Sequence, residues 1–587
     1  MASSPRQDRE TSQPLHSFKQ QNSPAGHQKN RSWLQKMRSP KGTAPVGSSR
    51  FFFSLCLGIL STALSAIPAF SAERIAFFYP PFGEFYISIK DLEIFAKEGK
   101  ITPEFAFYAN RVKPEQLAVL RELLQRRLDV GPITISQFTY TPIGKQILRR
   151  LGQVLKADFN QNGFYALRSA FVQAAADPEG LTLVNILHQF PLRTIRLDLQ
   201  LSLRAIREVS YLFGRRDLIV NSIQQQAADE VATTTLTSLA QPDLRVSGQF
   251  RWRKETITFN NPNRELPVPA DIYLPQGLQT APVIVISHGV ASDRNTFAYL
   301  AEHLASWGFA VALVEHPDTS AEKFQRFLTG FDTPPQPTTF INRPLDVKYL
   351  LDELQQKSES DPAWKGRLNV QQVGVIGQSL GGYTVLALGG AALNFEKLRQ
   401  VCNQSELNNT SFNLSLLLQC RSTDLPPQNY NLQDERVKAV LAVNPLSSTI
   451  FGQEGLSKIQ VPVMLVAGVE DLFTPPVPEQ IFPFTWLTTR QKYLVMAQNA
   501  THFSYLGGKK GVLPVPPELI GSDPALARPQ LRALSTAFFK THLSNQPEYR
   551  PYLSQPYVKA ISQNPFNLTL IKSLTATQLE QAIAGFR

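Results

Sequence analysis

One serine in this chain sits among residues chosen for shape. Val373-Gly374-Val375-Ile376-Gly377-Gln378-Ser379-Leu380-Gly381-Gly382 carries an apolar run into a G-x-S-x-G pattern, and the helix-forming stretch Tyr383-Thr384-Val385-Leu386-Ala387-Leu388 follows. A nucleophile on a sharp strand-to-helix turn needs small residues two before and two after it, so that neighbouring backbones pass closely. Gly377 and Gly381 meet that need. Five residues of pattern are weak evidence, and the flanking strand and helix are what make this instance specific. The chemistry served is attack of a hydroxyl on an acyl carbon, which requires a base for the proton and an acid to orient the base.

On a strand–turn–helix of this kind the acid and then the base follow the nucleophile in the chain. Of eight histidines only His502 and His542 lie beyond Ser379. His542 belongs to the amphipathic stretch 530–543, a packing or surface position. His502, in Asn499-Ala500-Thr501-His502-Phe503, follows an apolar run and sits where a loop reaches back to the serine, so we read it as the base. Nine acidic residues separate Ser379 from His502. Val463-Met464-Leu465-Val466-Ala467-Gly468-Val469-Glu470-Asp471 ends a buried strand in an acidic turn, which selects Asp471 as the orienting acid, with its neighbour Glu470 as the alternative. Asp424 and Asp434 lie in polar stretches and read as solvated. The oxyanion formed on attack needs two backbone N–H groups. One is assigned to Leu380, the other to Val290 in the loop after Val283-Ile284-Val285-Ile286-Ser287, where His288 shapes the loop without transferring protons. The mechanism requires no metal and no organic cofactor.

These side chains demand a scaffold, and short β-branched runs alternating with helices supply one after residue 254. Strands are expected at 256–260, 270–274, 283–287, 310–315, 373–377, 437–443, 463–467 and 493–497. The later ones are continuously apolar, as parallel strands covered on both faces must be. The fold class is therefore α/β, a mostly parallel eight-stranded sheet with helices on both faces spanning 254–545, with an insert at about 391–435 and a C-terminal helical extension at 546–587. Residues 73–250 read as a mainly α-helical domain: Pro114 opens a helix with Leu117, Leu120, Leu124 and Leu128 on one face, and others run near 142–155, 162–176 and 204–212. The alternation of Ile195, Leu197, Leu199, Leu201 and Leu203 favours a strand there instead. This half holds no metal-ligand cluster, phosphate loop or repeat, and its His188 reads as structural.

The chain has 587 residues, 43% hydrophobic and 18% charged, enough for two to four domains and too apolar for a disordered protein. Of the net charge of +12, residues 1–50 carry +7, from nine Lys/Arg against Asp8 and Glu10. The remainder is a modest surplus without clustered basic and aromatic residues, which excludes nucleic-acid binding. The uncharged run 51–72 after Arg50 reads as an export signal, with a cleavage pattern at Ala69-Phe70-Ser71 and Ala72 as the first mature residue. Met37 is an alternative start; an uncleaved anchor and an organelle transit peptide are the competing readings of residues 1–72. An exported, periplasmic or otherwise extracytoplasmic chain, anchored through 51–72 or not, keeps Cys402 and Cys420, which outside the cytoplasm form a disulfide; two buried free thiols are the alternative.

Residues 254–545 resemble the α/β-hydrolase superfamily, in particular its dienelactone-hydrolase-like and platelet-activating-factor-acetylhydrolase-like branches. The second likeness rests on Glu315-His316-Pro317-Asp318, on Arg343-Pro344-Leu345-Asp346 opening a helix, and on 377–382. Dienelactone hydrolases proper use a cysteine nucleophile where this chain has Ser379, so their substrate does not carry over. The whole chain is similar to a cyanobacterial group of exported hydrolases with an N-terminal helical domain of unknown function, a likeness carried by 180–187. The resemblance implies a serine esterase or lipase-like hydrolase of carboxylic esters, with a small-molecule or lipid ester as partner and association with a membrane surface. An acyltransferase using the same three residues, and a catalytically silent scaffold, are the other classes the sequence leaves open.

Overall fold

The computed structural model describes residues 71–233, 242–403, 413–508 and 517–584. The expected leader, residues 1–72, lies outside them apart from Ser71 and Ala72, and the described part forms one unit.

The front half builds a small sheet and a helical layer. Strands β1 (Arg74–Tyr79) and β2 (Gly83–Ser88) form a hairpin, β3 (Leu155–Lys156) pairs with β4 (Thr194–Leu197), and β4 runs parallel to β1. The alternation beginning at Ile195 therefore splits: its first residues are the strand β4, and from Leu199 the chain enters helix α1 (Leu199–Thr233). A leucine at every second position satisfies either period over so short a stretch, and burial of Ile195 in the small core decides the strand part. The helix at Pro114 ends at Gln125, so Leu128 falls in a two-residue strand rather than on the helix face.

The main sheet has nine strands: β5 (Trp252–Phe259), β6 (Val268–Pro275), β7 (Ala281–Ser287), β8 (Ala310–Val314), β9 (Leu368–Gln378), β10 (Val437–Val443), β11 (Val463–Gly468), β12 (Lys492–Ala497) and β13 (Leu568–Ile571). Their order is β13-β12-β11-β10-β9-β7-β8-β6-β5, with β7 to β12 parallel and the outer strands antiparallel. Eight were expected. The ninth comes from the tail, read from sequence as a helical extension, where Leu568-Thr569-Leu570-Ile571 covers the open edge of β12. Capping an edge in this way removes a row of unpaired backbone groups.

Both faces of the sheet are buried. Val283 and Val285 of β7 point into one core, Ile284 and Ile286 into the other. Helices α2 (Ala298–Ser306), α3 (Thr339–Ser360), α4 (Leu380–Leu388) and α5 (Pro524–His542) cover the faces: α3 and α4 one, α2 and α5 the other. Ile219, Val220, Ile223 and Ala227 of α1 join the first core, so the helix that begins in the front half ends inside the hydrolase half. In the insert, Cys402 and Cys420 form a disulfide that closes on the helix Ser415–Gln419. Among the described residues no helix is long and apolar enough to cross a membrane.

Candidate active site

Ser379 sits where β9 passes into α4, at φ +57°, a left-handed conformation that a non-glycine residue adopts only under constraint. The surrounding glycines show what that turn requires. A Cβ on Gly377 would lie 2.0 Å from the Gly381 carbonyl oxygen, and one on Gly381 would lie 2.0 Å from that of Ser287. The Ser379 N–H donates to the Val443 carbonyl at 3.0 Å, which ties the turn to β10. Leu380 is the first residue of α4, so its N–H has no acceptor within the helix.

His502 lies in the loop after β12. Its Nδ1 is 2.7 Å from Asp471 Oδ2. Asp471, 1% exposed, also accepts from the Phe473 N–H, the Thr474 N–H and the Thr474 hydroxyl, each at 2.8 Å. Glu470, the alternative acid, pairs instead with Arg216 of α1 at 2.6 Å. Three contacts bring the loops together. Gln378 Nε2 donates to the His502 carbonyl (3.1 Å), Asn444 Nδ2 donates to the Thr501 carbonyl (3.3 Å), and Asn444 Oδ1 accepts from the Gly468 N–H (2.8 Å). Gln378 and Asn444 were not singled out in the sequence; Gln378 is the last residue of β9 and Asn444 the first after β10, two buried strands that end at the site.

The loop after β7 approaches the serine closely, since a Cβ on Gly289 would lie 3.3 Å from Ser379 Cβ. The next N–H, that of Val290, has no hydrogen-bond partner among the described residues, whereas that of Ala291 donates to the Thr319 carbonyl at 2.9 Å. Beneath the loop lies a polar network almost wholly out of water. His288 Nε2 accepts from the His316 N–H (3.0 Å), and its Nδ1 donates to the Gly289 carbonyl (2.7 Å). His316 Nδ1 donates to Asp346 Oδ2 (2.8 Å), and its Nε2 accepts from the Ser287 hydroxyl (2.9 Å). A backbone donor at Nε2 fixes the neutral Nδ1–H form of His288, and the Asp346 carboxylate places a proton on Nδ1 of His316. Burial, with Arg343 close by, likewise holds both histidines well below the usual imidazole range.

Arg343, fully buried in α3, bonds Thr319, Thr384, Ser287 and the His288 carbonyl, and burial pulls its guanidinium down to about 10. Arg264 grips Asp346 through two bonds, at 2.9 and 2.6 Å. The 343–346 motif lies a turn inside α3 rather than at its start, with Pro344 within the helix. Ser287, His316 and Asp346 thus copy the pattern of a catalytic set, but all are fully buried.

A cavity of about 320 Å³ opens beside His502. The imidazole packs edge-on against Phe503 and at a tilt on Phe473, ring centroids 5.4 and 5.3 Å away. Among the described residues no group of His, Cys, Asp and Glu is arranged to hold a metal ion.

The nine-stranded sheet with its serine turn defines an α/β-hydrolase fold. Comparison with known proteins places the likeness more finely: residues 71–198 match the family described as "Alpha/beta hydrolase of unknown function (DUF1400)", and residues 245–334 match "Platelet-activating factor acetylhydrolase, isoform II". The first match falls on the helical front half, the second on β5 to β8 and the loops that hold Val290 and His316. Chlorophyllase-1, chloroplastic, of Citrus sinensis is 27% identical over 168 residues, which cover 28% of this chain and 46% of that relative. The chain spans about half the length of the curated relative it matches. It resembles the α/β-hydrolase-like serine hydrolases.

Proposed function

We propose that this protein hydrolyses carboxylic esters through an acyl-enzyme on Ser379. The observation that carries the reading is the 2.7 Å bond between His502 Nδ1 and the buried Asp471, in a loop tied to the residue before a serine held at φ +57°. Ser379 Oγ attacks the carbonyl carbon as His502 Nε2 takes its proton. Asp471 keeps the proton of the ring on Nδ1 and stabilises the imidazolium. The N–H groups of Leu380 and Val290 receive the developing negative charge. His502 then returns the proton to the departing alcohol, and water repeats the sequence to release the acid. The likenesses to an acetylhydrolase and a chlorophyllase support ester substrates, and the Phe213, Leu472, Phe473 and Leu519 side chains in the cavity beside His502 support ones with a lipid-like part. The Cys402–Cys420 disulfide supports an extracytoplasmic location, where such bonds persist.

The test is hydrolysis of p-nitrophenyl esters from acetate to palmitate by the full chain and by Ser379→Ala, with a fluorophosphonate to count reactive serines. Turnover and labelling are expected in the parent and neither in the variant. Labelling without turnover on any ester would redirect the reading to acyl transfer. A folded parent that does neither is no serine hydrolase.

A further inference from the structure

The link between the two halves of the molecule lies beside the acid turn. The C-terminal part of α1 is sunk in the main core, and the middle of the helix meets Val469 and Glu470. Arg216 of α1, 15% exposed, donates to Glu470 Oε2 at 2.6 Å and to the Val469 carbonyl at 3.5 Å. Its guanidinium also lies 4.9 Å from the centroid of the Phe213 ring, one turn earlier. Phe213 stands 39% exposed, and one surface it does face is the cavity beside His502, whose apolar wall is completed by Leu472, Phe473 and Leu519. A helix of the front half thus supplies an aromatic side chain to a cavity that His502 lines together with Asn499, Thr501 and Ser522.

We propose that this cavity receives the alcohol portion of the ester, that this alcohol is a neutral hydrocarbon chain or ring, and that Phe213 is a specificity-determining residue supplied by the front half. The proposal rests on the ester-hydrolase reading above. In the first half-reaction the bond between the acyl carbon and the alcohol oxygen breaks, and the proton taken from Ser379 passes from His502 to that oxygen. The alcohol oxygen must therefore lie within hydrogen-bond reach of the imidazole, and whatever it carries extends from there. The cavity has the His502 imidazole in its wall but not Ser379, which suits the departing group rather than the acyl chain held on the serine. Phe213, Leu472, Phe473 and Leu519 offer contact to hydrocarbon, and Asn499, Thr501 and Ser522 make the rest of the wall polar but uncharged. The rim carboxylate Glu470 is half exposed and disfavours an anionic group, although Arg216 offsets part of its charge. The volume, about 320 Å³, lies at the small end of the range for small-molecule sites and fits one chain or ring system. Arg216 acts through Phe213 and is a positioning residue.

The experiment uses the full chain and two ester series. In one, acetate esters run from ethyl to dodecyl alcohol, followed by acid release; in the other, p-nitrophenyl esters run from acetate to palmitate. The parent is expected to gain in kcat/KM with alcohol length. Phe213→Ala should lose on the order of tenfold at the long end of the alcohol series and leave the acyl profile in place. Phe213→Trp, which narrows the cavity, should depress the longest alcohols while sparing ethyl acetate. Arg216→Ala should follow Phe213→Ala with a smaller loss. A uniform loss across the p-nitrophenyl series, whose members share one aromatic alcohol, agrees with the assignment; a change in the acyl-length profile as large as that in the alcohol-length profile, or confined to it, would overturn the assignment. A variant that takes up fluorophosphonate in full yet shows the parent's alcohol profile would overturn the role of Phe213 and leave the serine-hydrolase reading standing. Absence of label in the parent would remove both.

Discussion

His288 works through its neighbour's carbonyl. Its Nδ1–H holds the Gly289 oxygen at 2.7 Å, and in a trans peptide the N–H on the far side of the same plane belongs to Val290. Fixing the carbonyl downward into the buried network thus aims the Val290 N–H the other way, on the side where Gly289 approaches Ser379. Arg343 and His316 brace the arrangement from below, which explains why a second Ser–His–Asp set exists in the chain without access to any substrate. His288→Leu removes the brace while Ser379, Asp471 and His502 stay in place. Loss of a single oxyanion donor costs roughly 10² to 10³ in kcat, so a fall approaching that size is expected, with KM changed far less. Steady-state kinetics on one good ester, beside a thermal melt to establish folding, decides it. A folded variant with the parent's kcat would move the second oxyanion donor to another N–H.

At the scale of elements, one carboxylate gathers the donors of the insert, beside the bonds that Gln419 and Lys348 make across the same boundary. Glu479, fully buried in a π-turn at Val477–Ile481, accepts from Asn413, Ser415 and Gln419 of the insert and from the N–H groups of Ser447 and Ser448 beyond β10. Hydrogen bonds to a charged group contribute about 1.5–3 kcal/mol each, and a neutral amide offers an N–H where some of these donors already point. Glu479→Gln should therefore destabilise the protein by about 3 kcal/mol or more, read as a lowered midpoint in urea. An unchanged midpoint would mean that the other bonds of the insert, those of Gln419 to the Thr449 and Ile450 N–H groups among them, hold it without the carboxylate. None of this was legible in the sequence, because a single glutamate in Pro478-Glu479-Gln480 carries no periodicity and its donors lie up to 66 residues away. The eight expected strands were legible for the opposite reason: each is a β-branched run bounded by turn residues, a local signal. Leu568–Ile571 is too short for that signal, and only the open edge of β12 makes it a strand. The turn at Ser379 and the pairing of Asp471 with His502 were legible because chain order and strand ends constrain them together. Phe213 and Arg216 were not, since their roles depend on which elements the fold makes neighbours; His288 was legible as shaping its loop, but not as the group that holds the Gly289 carbonyl.

Over the whole molecule, the polar interior is held by histidines kept neutral on both sides of the sheet. His288 and His316 lie under the oxyanion loop. On the opposite face His303 of α2 bonds Thr536 of α5 at 3.0 Å, and His542 of α5 bonds the Tyr493 hydroxyl of β12 at 3.0 Å. Burial, with Arg532 nearby, pushes His303 down to about 3; burial, with Arg550 and Lys572 nearby, takes His542 to about 4. The unfolded chain binds these protons near pH 6.5, the folded one not until the pH is far lower. Between those values the unfolded state holds more protons, so the unfolding free energy falls as pH falls, by about 1.4 kcal/mol per pH unit for each such histidine. The loss begins near pH 6.5 and, for His303, continues to about pH 3. Between pH 6 and 5 most carboxylates are still ionised in both states, so the slope there reports the histidines. His303→Gln removes one titrating group from that window while its amide keeps a donor toward Thr536. Urea unfolding of the full chain at intervals from pH 7 to 5 should show the parent losing stability steeply below pH 6.5 and the variant losing about one proton's worth less. Parallel pH profiles would mean that His303 takes up its proton in the folded state as readily as in the unfolded one, and the link between α2 and α5 would then tolerate a charge.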